Sequence, residues 1–241
     1  MVSKNQLKLI KSLHQKKYRN QYGLFFVEGL KTVKEFLNSD FRLEHLLVTN
    51  EMKSAIEDDR VQLISKNDFK KISALQTPNG VLGVFQIPKA KPVSEANWIV
   101  ALDAIRDPGN LGTVIRLCDW FGISHLICSP TTVDCYNPKV LQATMGSMAR
   151  VNIIYEDLKA FMEDSQLSVF GAYMDGDSIY EAGLPEKGIL VMGNEANGIS
   201  TVVEKNIDYR ISIPQFGNTT TESLNVATAT GILLSEIRRR A

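Results

Sequence analysis

The sequence predicts an α/β protein: a smaller α/β unit precedes a larger one built on a mostly parallel sheet with helices on both faces. Two observations support this. Short apolar stretches alternate with amphipathic helical stretches along the chain. The alternation is interrupted at Pro88-Lys89-Ala90-Lys91-Pro92, where two prolines flank basic residues as in a linker. The predicted domains are therefore residues 1–90 and 91–241.

The first unit begins with a predicted amphipathic helix, because Leu7, Ile10 and Leu13 recur at helical spacing. The predicted elements that follow are a strand at 23–27, a helix at 31–37, strands at 45–48 and 61–64, a helix at 66–75 and a strand at 81–87.

The second unit opens on Trp98 to Leu102, a nearly continuous apolar stretch typical of a strand covered on both faces. A helix is predicted over residues 112–121. Further strands are expected at 125–128, 151–154, 169–172, 188–192 and 207–213, with helices at 138–145 and 158–163. This alternation favours a parallel sheet.

The segment from Ile211 to Glu236 has the character of a ligand-binding loop. A short apolar strand ends at Pro214, a polar loop follows, and a helix starts near Ser223-Leu224-Asn225. Such loops and helix starts leave backbone groups free for a ligand. By contrast, the turn from Asp103 to Asn110 lacks the glycine pattern of a dinucleotide site, which disfavours a nucleotide-dependent oxidoreductase.

Three segments resemble the ordered motifs of the SpoU/TrmH-type RNA 2′-O-ribose methyltransferases of the SPOUT class. They are Asp103–Arg116, Leu190–Ile199, and Ile213-Pro214 with Gly217 and Ser223–Ala227. The preceding region resembles the L30e-like RNA-binding domain that many members carry.

This resemblance implies a C-terminal trefoil knot that binds S-adenosylmethionine. It implies methyl transfer to a ribose 2′-hydroxyl in structured RNA, with ribosomal RNA favoured over transfer RNA, by a homodimer. The cofactor-binding residues carried over from the family are Met192, Gly193, Gly198, Ile213 and Leu224.

The same resemblance makes Arg116 the main catalytic candidate. It either helps to remove the 2′-hydroxyl proton or positions and polarises that hydroxyl; the second role suits a guanidinium that is protonated at pH 7. An arginine on a solvated helix face is the structural alternative.

Four more residues complete the predicted catalytic set. Asn110 is equally suited to a turn or helix cap and to ribose contact. For Glu195 three roles are considered: bracing its own loop, holding Arg116, or facing the cationic methyl donor. Ser223 and Asn225 are expected to cap the last helix. The loop at 218–222 is about two residues longer than in many members, by motif spacing, and Ala227 stands where serine is common.

Charge is unevenly distributed although the formal net charge is zero. No acidic residue precedes Glu28, and this stretch contains six cations predicted to contact RNA phosphates: Lys4, Lys8, Lys11, Lys16, Lys17 and Arg19. The terminal Arg238-Arg239-Arg240 is interpreted as a cationic helix end.

Several classes are disfavoured. No apolar run of membrane-spanning length and no signal peptide is evident, so a cytoplasmic protein without a membrane partner is expected. Three scattered histidines and three cysteines without C-x-x-C spacing disfavour a metal site and disulfides. The remaining alternative is a non-catalytic RNA-binding or ribosome-assembly protein whose C-terminal domain is a dimerisation scaffold.

Overall fold

The computed structural model describes residues 2–217 and 223–239. The helices are α1 (Lys4–Ser12), α2 (Lys16–Tyr22), α3 (Leu30–Leu37), α4 (Lys66–Ile72), α5 (Pro108–Trp120), α6 (Pro138–Thr144), α7 (Leu158–Asp164), α8 (Thr201–Glu204) and α9 (Val226–Arg239). The strands are β1 (Leu24–Glu28), β2 (Leu43–Thr49), β3 (Val61–Ile64), β4 (Val81–Gln86), β5 (Ile99–Leu102), β6 (His125–Cys128), β7 (Asn152–Tyr155), β8 (Val169–Ser178), β9 (Ile189–Met192) and β10 (Tyr209–Ser212).

Contacts between Cα atoms divide the chain into two compact units. The first contains residues 1–89 and 134–149, and the second contains residues 90–133 and 150–241. The segment 134–149 thus belongs to the first unit by its contacts, although it follows the predicted linker in the sequence. The domain boundary at residues 90–91 stays a prediction.

The first unit is built on a four-stranded sheet in the order β1-β4-β2-β3. Strand β4 pairs antiparallel with β1 and β2, and β3 pairs parallel with β2. The apolar face of α1 buries Ile10 completely, and the adjoining Leu13 and Phe69 join the same core cluster. The predicted helical spacing of Leu7, Ile10 and Leu13 therefore locates the core-facing side of α1.

Residues 134–149 contribute to a second cluster of this unit, which is aromatic. The ring of Tyr136 lies 4.7 Å from that of Phe25, which also contacts Phe36, Phe41 and Phe85. Each aromatic pair of this kind contributes about 0.5–1.5 kcal/mol beyond its buried area. The cluster explains why this later segment packs with the N-terminal residues.

The second unit confirms the predicted parallel sheet. Its six strands run in the order β10-β8-β9-β5-β6-β7, and all five neighbouring pairs are parallel. All four residues of β5 and all four of β9 are buried. An apolar run without alternation therefore marks a strand covered on both faces.

The starts of α5 and α9, the two helices that carry motif residues, are fixed by side-chain caps. The helix predicted at 112–121 starts one turn earlier, because the Asp107 side chain accepts the Asn110 N–H at 2.8 Å and Pro108 occupies the first turn. Helix α9 starts at Val226, capped by Asn225, whose Oδ1 accepts the N–H groups of Ala227 at 2.9 Å and Thr228 at 3.2 Å. Ser223 lies two residues before this cap.

Other differences from the sequence prediction are local. The predicted helix at 66–75 ends at Ile72, because Ser73 is extended and its hydroxyl donates to Glu28. Arg238 donates to the carbonyls of Phe121 and Gly122, and Arg239 pairs with Glu236. Arg240 lies outside the described residues. Within the described ranges, no helix has the length and apolar character needed to cross a bilayer.

Candidate active site

A cleft of about 780 Å³ lies at the carboxyl ends of β8, β9 and β10, which are neighbours in the sheet. Ligands of parallel α/β sheets bind at this edge, because the loops that leave the strands converge there. The cleft is lined by residues 172–175 from β8, 192–199 from β9 and its loop, Ile211, residues 213–215, Gly217, residues 223–224 and, from α9, Val226, Ala229 and Leu233.

The wall formed by β8 comes from an interruption in its pairing. Arg210 of β10 pairs with Gly171, but the next residue, Ile211, pairs with Asp177. Residues 172–176 therefore leave the ladder, and four of them line the cleft. An uninterrupted strand would place these side chains alternately on the two faces of the sheet.

The loop after β9 folds tightly onto itself. Asn194 and Gly198 exchange two backbone hydrogen bonds of 2.9 Å, and a Cβ added to Gly193 would lie 2.3 Å from the backbone of Gly198. Gly193 thus permits a backbone approach that no larger residue allows.

Three residues predicted as catalytic form one hydrogen-bonded chain. Asn225 Nδ2 donates to Asn110 Oδ1 at 2.9 Å, and Asn110 Nδ2 donates to Glu195 Oε1 at 2.7 Å. The chain connects the start of α9, the first turn of α5 and the loop after β9. All three sequence motifs therefore meet here, and the amide of Asn110 is fixed in one orientation by its two partners.

The turn before α5 is held from two sides. Ala104 has a left-handed backbone with φ of 57°, which is strained for a residue with a side chain. Its N–H donates to Ser129 Oγ at 2.8 Å, and its carbonyl accepts from Asn194 Nδ2 at 2.7 Å. Strain that is held by surrounding groups is typical of functional turns.

Arg116 lies on α5 with its side chain exposed. Among the described residues, no group forms a hydrogen bond or ion pair with its guanidinium, and it is not part of the cleft lining. Its charge is thus available to an incoming ligand. Of the alternative roles considered for Glu195, the pairing with Arg116 is not observed, since Glu195 accepts hydrogen bonds from Asn110 and Asn194 instead.

Two acidic side chains line the cleft, and they differ in their partners. Glu195 and Asp175 both line it. Arg210 donates to Asp175 at 2.6 Å, and this hydrogen bond lowers the pKa of Asp175. The guanidinium of Arg210 also lies 3.6 Å from the ring centre of Tyr173, whose pKa is raised mainly by burial. Asp175 is thus paired, whereas Glu195 has no cationic partner among the described residues, and its carboxylate favours a cationic ligand.

Comparison with known proteins identifies the family that has this architecture. Residues 97–235 match the SpoU rRNA Methylase family, and residues 4–83 match the MRM3-like substrate binding domain. The chain belongs to the SpoU rRNA methylase family.

Several relatives match this chain over nearly its whole length. The 23S rRNA (guanosine(2553)-2′-O)-methyltransferase RlmP of Bacillus subtilis is 31% identical over 244 residues, covering 98% of this chain and 97% of its own. A Porphyromonas gingivalis structure, described as an RNA methyltransferase of the TrmH family, is 40% identical, covers 100% of both chains and has a TM-score of 0.92. An AdoMet-bound rRNA methyltransferase from Sinorhizobium meliloti is 30% identical, with a TM-score of 0.86 over 100% of this chain and 97% of its own.

The residues predicted to bind the methyl donor in this SpoU-family protein lie together. Met192, Gly193, Gly198, Ile213 and Leu224 all line the cleft. Among the described residues, the main-chain N–H and C=O groups of Gly193, Ile213 and Leu224 have no hydrogen-bond partner. The cleft is large enough for a nucleoside, and these free groups can bind the edge of its base through the main chain.

The six predicted RNA-contacting cations separate into two kinds. Lys4, Lys8, Lys11, Lys16 and Lys17, here called the N-terminal lysines, are all exposed. Arg19 is 3% exposed, and its guanidinium donates to the carbonyls of Leu13 and His14 and to Asp134. Burial and these bonds remove Arg19 from any phosphate-binding surface.

Sequence reasoning missed several residues that build the site. Asp107 caps α5, a role for which Asp107-Pro108 is a direct sequence signal. Asn194 connects its loop to Ala104, and Tyr173 and Asp175 line the cleft. The last two carried no signal, because they depend on the interrupted pairing of β8. The loop at 218–222 lies outside the described residues. Within the described residues, no cluster of His, Cys, Asp and Glu suited to a metal ion is present.

Proposed function

We propose that this protein transfers a methyl group from S-adenosylmethionine to a ribose 2′-oxygen of ribosomal RNA. The observation that carries the proposal is the meeting of all three SpoU motifs at the Asn225-Asn110-Glu195 chain, beside a cleft large enough for a nucleoside. Family membership and the 2′-O-methyltransferase relatives support the reaction class.

The proposed donor site uses the main-chain groups of Gly193, Ile213 and Leu224 for the adenine edge. The carboxylate of Glu195, which lines the cleft and has no cationic partner among the described residues, provides a negative charge for the sulfonium cation. When bound, the donor supplies an activated methyl group and leaves as S-adenosylhomocysteine. The protein itself has to hold the nucleophile in line and exclude competing orientations.

Arg116 is proposed to position the ribose. Its planar guanidinium can donate to the 2′-hydroxyl oxygen and to an adjacent phosphate at the same time. The hydroxyl proton is released to phosphate or water as the new carbon–oxygen bond forms. Arg116 suits this role because it is exposed and has no partner among the described side chains.

Asn110, Glu195, Ser223 and Asn225 are proposed to shape the site around that event. The hydrogen-bonded chain fixes the loop after β9 relative to the start of α9. Ser223 lines the cleft without capping the helix, so its hydroxyl is available to the ligand. Removing any member of the chain breaks this connection between the loop after β9 and the start of α9.

Ribosomal RNA is the proposed substrate, with transfer RNA as the alternative, because RlmP acts on 23S rRNA and residues 4–83 match a substrate binding domain. The N-terminal lysines are proposed to contact phosphates. Action on ribosomal RNA and the bacterial relatives favour the cytoplasm. The C-terminal trefoil knot is proposed from family membership.

A homodimer is also proposed. Family membership supports this proposal. Trp120, which is 84% exposed and lies one turn after Arg116 on the same face of α5, is proposed as a contact residue. We expect Trp120→Glu to shift the mass measured by light scattering from dimer to monomer, while Trp120→Phe stays dimeric. A wild-type monomer at micromolar concentration would contradict the proposal.

The decisive experiment combines binding and product mapping. Calorimetry should show that S-adenosylmethionine and S-adenosylhomocysteine bind and that NAD does not. Incubation with labelled donor and total RNA from a strain lacking the protein should label one RNA, and the modified ribose is then mapped. NAD binding without donor binding would overturn the proposal.

A further inference from the structure

We infer that Tyr18 and Tyr22 form a stacking site for unpaired RNA bases; this inference rests on the proposed action on RNA. The two residues lie one turn apart on α2, with ring centres 6.2 Å apart and ring planes inclined by only 13°. Tyr22 is 46% exposed. Helix α2 therefore presents nearly parallel aromatic faces, at least one of which is open to solvent.

The surroundings of this tyrosine pair are complementary to a nucleic acid. The Lys17 Nζ lies 5.8 Å from the ring centre of Tyr18. No acidic residue precedes Glu28 in the chain, and none of the N-terminal lysines forms an ion pair with a described residue. A ligand with aromatic rings and negative charge fits such a surface, and a single-stranded nucleic acid provides both.

Helix α2 is held in place by contacts other than the exposed ring of Tyr22. The helix is already fixed by buried Arg19, which bonds to Leu13 O at 2.8 Å and His14 O at 3.0 Å and pairs with Asp134. It ends at Gly23 in the left-handed conformation, a standard helix stop. A contact between rings one turn apart adds only a few tenths of a kcal/mol to a helix. Stability alone therefore gives little reason for an open aromatic face here.

The ligand of the tyrosine pair is an RNA base that is not part of a double helix. Paired bases already stack on their neighbours, whereas bases in loops and bulges are free to stack on a tyrosine. Stacking is tolerant of base identity, because every base has a π face. The tyrosine pair would thus recognise an unpaired loop, and the N-terminal lysines its phosphates.

The test compares two RNAs with the same number of phosphates, a stem–loop and a blunt duplex. The double variant Tyr18→Leu/Tyr22→Leu keeps apolar volume but loses both rings. We expect its affinity for the stem–loop to fall about tenfold or more, with duplex affinity and S-adenosylmethionine binding unchanged. Tyr18→Phe/Tyr22→Phe should restore stem–loop binding, and Tyr180→Leu, whose tyrosine is also 46% exposed, should have no effect.

The outcomes separate this inference from the proposed function. Equal loss of affinity for both RNAs, or no loss for either, overturns the stacking site while leaving methyl transfer intact. A change in oligomeric mass in the leucine variant would show that the tyrosines contact protein instead. If the wild-type protein binds neither RNA and labels no ribose, the proposed function itself fails.

Discussion

The cleft of the second unit and the N-terminal helices of the first present opposite kinds of polar surface. In the cleft region, the side chains of Asn110, Glu195 and Asn225 are bound to one another, and the free groups belong mainly to the backbone. On α1 and α2, the lysines are exposed and unpaired among the described residues.

This difference separates two recognition tasks. Groups with fixed partners cannot adjust, so they suit a ligand that needs one defined geometry. Free lysines are insensitive to exact geometry and act through charge, which salt screens. Changes in the cleft region should therefore act on turnover, and changes on the N-terminal helices should act on salt-dependent RNA affinity.

Substitution of Arg116 should have the largest effect. Its guanidinium is free, like the N-terminal lysines, but its proposed role depends on the orientation of the ribose, as the roles of the cleft residues do. Arg116→Ala should lower kcat by about 100-fold or more, with little change in the KM of the donor. Arg116→Lys should lose most turnover too, because lysine keeps the charge but not the planar fork. Single-turnover methylation assays measure both.

The neighbouring Arg106 provides the control, since it is also exposed without a described ion pair. Arg106→Lys should stay close to wild type. Wild-type rates in Arg116→Ala would remove Arg116 from the mechanism, and near-full activity in Arg116→Lys would reduce its role to attracting RNA.

Asn225 tests the fixed network. Asn225→Asp retains an oxygen to cap α9 but cannot donate to Asn110, whose other side is occupied by the Glu195 carboxylate. We expect activity to fall about tenfold, since one hydrogen bond is replaced by a repulsive contact. The thermal midpoint should change little. Asn225→Ala should lose activity and also lower the midpoint by about 2–4 °C, because a cap contributes about 1 kcal/mol.

A second helix cap separates stability from chemistry. Ser65 caps α4 by accepting the Asp68 N–H at 3.1 Å, in the unit without the cleft. Ser65→Ala should lower the midpoint comparably and leave single-turnover rates unchanged. If both caps reduced turnover equally, the network would have no special role.

The N-terminal lysines should show the smaller, salt-dependent effect. Replacing all five with glutamine should reduce the slope of log affinity against log salt by about 0.7–0.9 for each phosphate that the variant no longer neutralises. Donor binding should not change. The control replaces Lys66 and Lys71 with glutamine; these two lysines already pair with Glu51 and Asp68. The change of slope is compared for each lysine replaced. An equal change of slope in that control would show that the position of the charge is irrelevant.

Chelation should have the smallest effect on either region. Methyl transfer by the proposed groups needs no Lewis acid, so activity in EDTA should equal that in buffer. Complete loss of turnover that added metal restores would contradict this prediction.

Most of the fold is predictable from the sequence, because the apolar pattern is locally consistent. The run from Ile99 to Leu102 has no alternation, and it forms a buried strand in the middle of a parallel sheet. The predicted start of α5 is too late, since the glycines at 109 and 112 obscure the Asp107-Pro108 signal. The predicted strand β8 is too short, because residues 172–176 depend on the break in pairing with β10.

For the site, the sequence predicts which motif residues take part but not how they contact one another. Asn110, Glu195 and Asn225 each stand out separately, and three motifs far apart in the chain give no sign that these side chains bond directly. Arg19 groups with the N-terminal lysines in the sequence, because charge alone does not distinguish an exposed cation from one paired with Asp134. That pairing joins residues more than a hundred positions apart, which local pattern cannot reveal.

The contact between Tyr136 and Phe25 has a consequence for how the protein is made. A ribosome releases residues 1–89 long before it reaches Asp134, so the nascent first unit lacks both its last aromatic ring and the partner of Arg19. The packing of this unit is therefore completed during synthesis only after a stretch encoded well downstream has emerged. Exchange of this unit between relatives would likewise require two segments to be transplanted together.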